Sequence, residues 1–177
     1  MAGQAGATEA ARRETEEAID YEMIELLFFA YRAFTSDPDV ILEKRGFGRA
    51  HHRVLHFVDR EPGMTVANLL ETLKITKQSL ARVLKQLIDS GYIRQVAGPE
   101  DRRQRKLYAT PKGSGLARAL AEPQSRRIAE ALAAAGPQAR PVICRFLASL
   151  RLGEDEAAGR ADESAGEDEH DEDDADR

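Results

Sequence analysis

The sequence predicts a mainly helical fold that carries one small β-hairpin, and three observations support this prediction. Apolar residues recur at three- and four-residue spacing in several separate segments, as they do in amphipathic helices. Two short segments, 92–96 and 105–109, instead have the composition of strands. The charge is segregated: residues 44–118 carry 16 basic and six acidic side chains, whereas residues 153–177 carry two basic and 13 acidic ones. A basic middle segment is expected of a protein that binds nucleic acid.

Length and composition bound the class of protein. The 177 residues, 42% of them apolar, suffice for one compact domain or for a small domain with long flanking helices. Cys144 is the only cysteine, which excludes an intrachain disulfide and fits a reducing compartment. The first twenty residues lack the apolar region of a secretory signal, and no segment approaches the roughly 18 apolar residues of a membrane helix. We therefore expect a cytoplasmic protein without a membrane partner.

The N-terminal part of the chain predicts two helices. Residues 1–15 are rich in Ala, Gly and Glu, and we expect them to be disordered. Residues 16–36 predict a helix that is apolar over much of its circumference, so it needs cover on more than one side. Pro38 is expected to end this helix, because a proline disfavours the helical conformation in the residue before it. A second helix is predicted from Arg49 to Asp59.

Residues 64–91 predict a helix-turn-helix, in which two short helices are joined by a tight turn. Thr65 is a suitable N-cap for the first helix, and Thr76 caps a second one that runs to about Ser90. Gly91 lies where a glycine commonly ends a helix. The apolar positions of the second helix follow one face without a break: Leu80, Val83, Leu84, Leu87 and Ile88.

The opposite face of this second helix is polar. At 100° per residue, Gln78, Arg82, Lys85 and Asp89 fall within a narrow arc about 180° from Leu80. Gln and Arg side chains in such an arc can bond the edges of base pairs in the major groove, while Lys and Thr can hold phosphates. An ordinary solvent-exposed helix would have the same composition. The candidate DNA-binding residues of this helix are Thr76, Lys77, Gln78, Ser79, Arg82 and Lys85.

The segment that follows predicts a protruding hairpin, or wing. The loop between its two predicted strands is too long and too polar for a two-residue turn. Arg102 and Arg103 lie at the tip of this loop, and Arg105 lies just behind them. Arginines on a thin hairpin can enter the minor groove beside a recognition helix. The alternative is a loop that is merely charged and solvated, but its place directly after a helix-turn-helix favours DNA binding.

A specific set of motifs follows along residues 41–118: Arg82-Val83, Leu87, Gly91-Tyr92-Ile93, Asp101-x-Arg103, Leu107 and Thr110-Pro111-Lys112-Gly113. With these motifs, residues 41–118 resemble the winged helix-turn-helix of the MarR family of transcriptional regulators. Ala109 departs from the family pattern, in which a leucine is usual, and this thins the packing under the wing. The resemblance implies that Asp101 braces a wing arginine, Arg103.

The resemblance also implies an assembly and a ligand. It implies a homodimer formed by helices at both ends of the chain, bound to a pseudo-palindromic operator on double-stranded DNA. It further implies a small-molecule effector that changes the affinity for DNA, in a pocket between the dimerisation helices and the DNA-binding domain. In this sequence that location corresponds to six residues: Phe28, Tyr31, Arg32, His52, His56 and Phe57.

The C-terminal part predicts further dimerisation helices and a tail. A helix is predicted over 112–135, where Pro123 is expected to kink or interrupt it. The last helix has one strongly apolar face, which favours a homodimer over a monomer that folds back on itself. Residues 153–177 have a net charge of −11 and predict a disordered acidic tail, which serves solubility or competes with DNA for the basic surface. The apolar positions of the last helix are Val142, Ile143, Phe146, Leu147 and Leu150.

Three further features predict no separate chemistry. His51, His52 and His56 lie on one predicted helix, but no Cys, Asp or Glu at matching spacing completes a metal site. Cys144 lies in an apolar helix and is interpreted as a packing residue rather than a redox sensor. Gly46-Phe47-Gly48 lacks the third glycine and the preceding strand of a phosphate-binding loop. Since no nucleophile–base pair is evident either, the sequence predicts neither an enzyme nor a cofactor.

These patterns together predict a winged helix-turn-helix with N- and C-terminal dimerisation helices. Its function is predicted to be sequence-specific regulation of transcription, as a repressor. Two alternatives stay open: a non-specific architectural DNA-binding protein, and a winged-helix module that binds other proteins. The predicted segments are a disordered N-terminus (1–15), an N-terminal dimerisation helix (16–40), the DNA-binding domain (41–111), C-terminal dimerisation helices (112–152) and the acidic tail (153–177).

Overall fold

The computed structural model describes residues 19–98 and 104–151 of the chain. They belong to two compact units, which divide after Arg127. The predictions for the N-terminus, the wing tip and the acidic tail lie outside the described residues. The elements in chain order are α1 (Tyr21–Glu43), α2 (Arg49–Arg60), α3 (Val66–Leu73), α4 (Lys77–Asp89), β1 (Ile93–Ala97), β2 (Arg105–Ala109), α5 (Pro111–Ala135) and α6 (139–151).

Helix α1 differs from the predicted helix, because it continues through Pro38 to Glu43. Pro38 has no backbone N–H, so the carbonyl of Phe34 one turn earlier lacks its usual helical donor. The side-chain amide of Gln124 in α5 donates to this carbonyl at 3.2 Å. The prediction that α1 ends at Pro38 is therefore wrong, and a side chain distant in sequence supplies the missing hydrogen bond. Helix α5 likewise continues through Pro123, so that proline does not interrupt it.

The helix-turn-helix forms at the predicted positions. Thr65 Oγ1 accepts a hydrogen bond from the backbone N–H of Asn68 at 3.2 Å, which caps α3. Thr76 Oγ1 accepts from the backbone N–H of Ser79 at the same distance, which caps α4. Gly91 follows the end of α4 with a φ of 73°, a left-handed conformation that glycine adopts without strain. The residues next to α4 thus determine where this helix begins and ends.

The wing forms a two-stranded antiparallel sheet. Strand β1 pairs with β2 in a register that places Ile93 opposite Ala109. The first strand begins one residue later than predicted, and the second has the predicted bounds. Beyond the paired strands, the backbone N–H of Gly98 donates to the carbonyl of Gln104 at 2.9 Å. A backbone hydrogen bond therefore joins the two residues that lie between the paired strands and the loop.

One hydrophobic core connects α2, α3, α4, the hairpin and the start of α5. The periodic apolar positions of α4 point into this core, and its polar positions stay exposed. Fully burying a Leu, Ile or Val side chain contributes about 1.5–3 kcal/mol, so this packing fixes the orientation of α4. The core residues are Leu42, Val54, Leu55, Val58, Met64, Leu69, Leu73, Leu80, Val83, Leu84, Leu87, Tyr92, Ile93, Leu107, Leu116, Ala117 and Leu120.

Gly113 lies where the first turn of α5 approaches the end of α4 most closely. A Cβ atom at Gly113 would lie 2.1 Å from the carbonyl oxygen of Tyr92. Thr110 holds the two segments together, because its Oγ1 donates to the carbonyl of Gly91 at 2.7 Å and accepts from the backbone N–H of Gly113 at 3.1 Å. The atom in the way belongs to the backbone and cannot rotate aside. Only glycine fits this position.

Gly113→Ala should therefore lower the free energy of unfolding by about 1–3 kcal/mol, the usual cost of overpacking. Gly115→Ala is the matched control, because that glycine lies in the same helix and a Cβ there meets no atom within 4 Å. The control should raise the free energy of unfolding by about 0.5–1 kcal/mol, since alanine favours a helix. Urea titrations of both variants measure the difference. Equal stability of the two variants would contradict this account.

The second unit contains the end of α5 and all of α6. Leu132 is half-buried, but the other large apolar side chains described in this unit are exposed, and Val142, the most exposed of them, is 54% accessible. Cys144 is exposed as well, so the prediction that it packs is wrong for the single chain. Within residues 19–98 and 104–151, no helix is both long and apolar enough to cross a membrane.

Candidate nucleic-acid interface and cavity

Helix α4 presents a polar and basic face to solvent. Lys77, Gln78, Arg82 and Lys85 are all exposed, as the sequence predicts. Lys85 forms an ion pair with Asp89 one turn later, so its ammonium group is partly neutralised. Gln78 and Arg82 therefore lie on one exposed face, and these are the side-chain types that bond adenine and guanine in the major groove.

Both ends of α4 are held by side chains. At its start, Thr76 donates to the hydroxyl of Ser79 at 3.0 Å in addition to capping the helix, so these two candidate DNA-binding residues already have structural roles. Beyond its end, Lys112 Nζ donates to the carbonyl of Ser90 at 2.8 Å and lies 4.3 Å from the ring centre of Tyr92. A cation at this end also interacts favourably with the helix dipole. The helix is thereby fixed before any DNA is bound.

A side chain from α2 contacts the exposed side of α4. The Nε2 atom of His51 lies 2.7 Å from Oε1 of Gln86. The imidazole ring stacks on Phe47, with 4.7 Å between the ring centres. Gln86 is one turn away from Arg82 on the same helix. Sequence reasoning missed this contact, because one hydrogen bond between residues 35 positions apart leaves no periodic signal.

The described part of the wing carries two exposed arginines. Arg105 begins β2, as predicted. Arg94 lies on β1, and its guanidinium is 4.5 Å from the ring centre of Tyr108 on the opposite strand. The predicted brace and tip arginines, at 101–103, lie outside the described residues, so their roles stay predictions.

A cavity of about 200 Å³ is lined by side chains of α1, α2 and α5. Its aromatic groups come from both α1 and α2, and its cationic groups come from α2 alone. The α2 positions 49, 52, 53 and 56 share one helical face, so one face of α2 lines the cavity. The lining residues are Tyr31, Phe34, Thr35, Asp39, Arg49, His52, Arg53, His56, Phe57 and Gln124.

One ion pair dominates the electrostatics of this cavity. Arg49 donates from Nη2 to Asp39 Oδ2 at 2.7 Å and from Nε to Oδ1 at 3.2 Å, a two-pronged contact that joins α1 to the start of α2. These hydrogen bonds raise the pKa of Arg49 above its usual value. The guanidinium also lies 5.5 Å from the ring centre of Tyr31. Asp39 is the only carboxylate among the lining residues, against two arginines.

His52 should make stability depend on pH. Its burial, and secondarily the neighbouring His56, lower the pKa of His52, while Asp39 opposes the shift. The native state thus binds a proton less readily than the unfolded chain, whose histidine pKa is about 6.5. The free energy of unfolding should therefore be highest above that pH and should fall as the pH drops through the lowered pKa. Urea titrations between pH 7.5 and 5 measure this slope.

Two variants separate the causes of this pH dependence. His52→Gln should flatten the slope, because the titrating group is gone. His56→Gln should retain most of it, because burial is the larger cause of the shift. A His52→Gln protein with the full slope of the unmodified chain would refute the assignment.

Four of the six residues predicted for the ligand pocket line this cavity, and two do not. Phe28 is 68% exposed, and Arg32 lies with its guanidinium 4.9 Å from the ring centre of Phe29. The sequence analysis did not include Arg49 and Arg53 in the pocket. Their helical spacing from the two histidines places all four residues on one face of α2, and this pattern could have identified them. Asp39 was missed because Pro38 was expected to end the helix before it.

In the part of the chain that the structure describes, no group of three or more His, Cys, Asp or Glu side chains is arranged to hold a metal ion. His52 and His56 instead face the cavity together with arginines.

Comparison with known sequences places the chain in a family. A sequence model of the MarR family matches residues 45–104, which include the helix-turn-helix and the first strand of the wing. The HTH-type transcriptional regulator PetP of Rhodobacter capsulatus is 54% identical over 116 residues, which make up 66% of this chain and 70% of PetP.

Solved structures show the same fold. Streptococcus pneumoniae FabT, determined in complex with DNA, aligns over 78% of this chain and 99% of its own, with a TM-score of 0.65 and 21% identity. NadR, determined in complex with 4-hydroxyphenylacetate, aligns over 70% of this chain and 88% of its own, with a TM-score of 0.60 and 20% identity. The winged fold, the family match and the identity with PetP agree: this chain belongs to the MarR family of DNA-binding transcriptional regulators, which are not enzymes.

Proposed function

We propose that the chain is a homodimeric, sequence-specific DNA-binding repressor whose affinity for its operator responds to a small molecule. The observation that carries the DNA-binding role is the exposed face of α4. It presents Gln78 and Arg82 on a helix that is capped at its start and held by Lys112 at its end. In this proposal α4 enters the major groove and the wing arginines enter the adjacent minor groove.

Exposed apolar side chains at both ends of the chain support the homodimer. A single soluble chain rarely leaves so many large apolar groups in contact with water. A second copy related by a twofold axis would cover them and present two α4 helices to DNA. The operator is accordingly proposed to be pseudo-palindromic. The exposed large apolar groups in α1 and just before it are Ile19, Tyr21, Met23, Ile24, Leu26, Leu27, Phe28, Phe29, Tyr31 and Val40, and those of α6 are Val142, Ile143, Phe146, Leu147 and Leu150.

The cavity supports a small aromatic acid as effector. Tyr31, Phe34 and Phe57 offer ring contacts, and Arg49 and Arg53 offer charged donors to a carboxylate. The 4-hydroxyphenylacetate bound by NadR belongs to this chemical class. A thermal-shift screen of small aromatic acids, with Arg53→Gln as the weakened variant, tests this part of the proposal.

The experiment that tests DNA recognition is the selection of bound fragments from the native genome. The affinity for the selected fragment is then compared with the affinity for bulk DNA at a stated salt concentration. A ratio of about 10³ or more supports a sequence-specific regulator. A ratio near one would instead indicate an architectural DNA-binding protein, and no salt-dependent binding at all would indicate a protein-interaction module.

Removing the wing arginines should weaken binding to most DNA sequences alike. Arg102→Ala combined with Arg103→Ala removes two cations per chain, or four per proposed dimer, so the slope of log K against log salt should become shallower by up to about four. The matched control is Arg118→Ala with Arg126→Ala on α5, which changes the net charge equally at two exposed positions. Equal slopes for the wing variant and the unmodified protein would exclude the wing from the interface.

A further inference from the structure

We propose that His51 is a positioning residue for the DNA-reading helix α4, and that it holds this helix through Gln86 only while its imidazole is neutral. The inference rests on the proposed role of α4 in reading DNA. It goes beyond that role because it makes recognition depend on the protonation state of a residue on another helix.

The hydrogen bonds of His51 define one tautomer. The backbone N–H of Gly48, at the start of α2, donates to Nδ1 at 3.1 Å, so Nδ1 must be an unprotonated acceptor. A neutral imidazole then carries its proton on Nε2, which lies 2.7 Å from Gln86 Oε1. This also fixes the orientation of the Gln86 amide, because its oxygen must face the ring. Its NH₂ group is therefore turned away from His51 and offers two donors elsewhere.

Ring packing keeps the imidazole in this orientation. The ring of Phe47 stacks on it with an angle of 14° between the planes. Phe47 in turn makes an edge-to-face contact with Tyr92, at 5.3 Å between ring centres, and Tyr92 lies three residues after the end of α4. The side chain of His51 is thus fixed by a stack as well as by two hydrogen bonds. It forms a rigid link from the start of α2 to the middle of α4.

The groups that contact His51 in the described part of the chain carry no charge. The loop before α2 contributes Phe47 and a backbone donor, and α4 contributes a neutral amide. The charged groups one turn or less from Gln86 on α4 are Arg82, Lys85 and Asp89, and Lys85 and Asp89 are paired with each other. On α2 itself, His52 is the adjacent titratable residue. Among the contacts that the described residues make, no carboxylate reaches the imidazole of His51.

Protonation would break this arrangement at one atom. A proton on Nδ1 turns the acceptor into a donor that faces the N–H of Gly48, so two donors oppose each other. The positive charge would also lie in the first turn of α2, where the helix dipole disfavours cations. The ring must then turn away, which releases Gln86 and loosens α4. Acidification should therefore reduce sequence discrimination, although added positive charge generally strengthens binding to bulk DNA.

The first test uses the full-length, ¹⁵N-labelled protein without DNA. Long-range ¹H–¹⁵N correlation spectra report which ring nitrogen of His51 carries the proton at pH 7.5. We expect the Nε2–H tautomer. When the spectra show both ring nitrogens of His51 protonated, we expect the protection factors of α4 amides, which are corrected for the slower intrinsic exchange at low pH, to fall. An Nδ1–H tautomer, or α4 protection factors that are the same for the neutral and the protonated ring, would overturn the proposal. This readout does not depend on DNA binding, so it separates failure of this inference from failure of the proposed function.

The second test measures sequence discrimination at pH 7.5 and 5.5 and constant salt, with the genome-selected fragment and bulk DNA as probes. The ratio of the two affinities should fall about three- to tenfold in the unmodified protein, the loss of roughly one net hydrogen bond. His51→Gln provides an amide donor for Gln86 and does not titrate, so its ratio should be high at both pH values. His51→Asn retains an acceptor for Gly48 but is too short for Gln86, so its ratio should be low at both.

His170→Gln is the control for loss of a histidine outside the candidate interface and the cavity, and it should retain the pH dependence. A His51→Gln protein whose ratio falls as much as that of the unmodified protein would show that another group is responsible. An unchanged ratio in His51→Asn at pH 7.5 would show that the contact does not position α4.

Discussion

Replacing Arg82 with alanine should weaken binding to the cognate operator about 5- to 150-fold, equivalent to about 1–3 kcal/mol. The side chain is exposed on a helix whose ends are both fixed, so its loss should not move the backbone. A bidentate contact with a base contributes both affinity and discrimination. Preference at one operator position should therefore relax, and this is measured by fluorescence anisotropy with operators that vary at each position.

Arg118→Ala is the matched control for this experiment. Arg118 is an exposed arginine on α5, so its replacement causes the same change in net charge away from α4. It should lower affinity slightly and equally for all sequences. Operator binding at full strength in Arg82→Ala would mean that this side chain is not at the interface, and α4 would then need a different docking geometry.

Replacing Ile24 and Phe28 together with glutamate should convert the protein to a monomer. The two residues are 40% and 68% exposed and lie one turn apart on α1, so the change leaves the core of the single chain intact. In a dimer, however, four carboxylates would be buried in an apolar interface without partners. Sedimentation should report a mass near 19.6 kDa. Operator affinity should drop at least about 100-fold, because the second half-site is no longer bound intramolecularly.

The control for this variant replaces Glu22 and Glu25, in the same helix, with alanine. These changes remove charged groups instead of adding them and should leave the assembly unchanged. Circular dichroism distinguishes loss of the dimer from loss of the fold, since a folded monomer retains its helical signal. A glutamate variant that sediments as a dimer would exclude this part of α1 from the interface, and α6 would become the principal candidate.

The elements of this fold could be predicted from sequence wherever their cause is local. Thr65 and Thr76 cap their helices at the predicted positions, because an N-cap bond joins residues only three apart. The apolar stripe of α4 likewise predicts its buried face, since side-chain direction follows helical geometry. The exposed positions of Gln78 and Arg82 follow from the same geometry.

The errors arise where the cause is distant in sequence. Pro38 has the local signature of a helix end, but Gln124 supplies a donor to the carbonyl that the proline leaves unpaired. Because the helix was expected to end at Pro38, the direction of the Asp39 side chain could not be predicted. Asp39 was therefore not included in the predicted pocket. The His51–Gln86 contact is similar, since neither residue is unusual for its position and only the tertiary fold brings them together.

The hydrogen bond between Gln124 and the carbonyl of Phe34 should affect how easily α1 bends. An uninterrupted helix is equally stiff along its length, whereas a helix with a proline bends most easily in the turn before it. In this chain that turn contains Phe34 and Thr35, which also line the cavity. If the Gln124 amide turned away, the carbonyl would need another donor such as water, and we expect α1 to bend more easily at that turn. One side chain on α5 would then influence how readily the N-terminal helix bends beside the cavity.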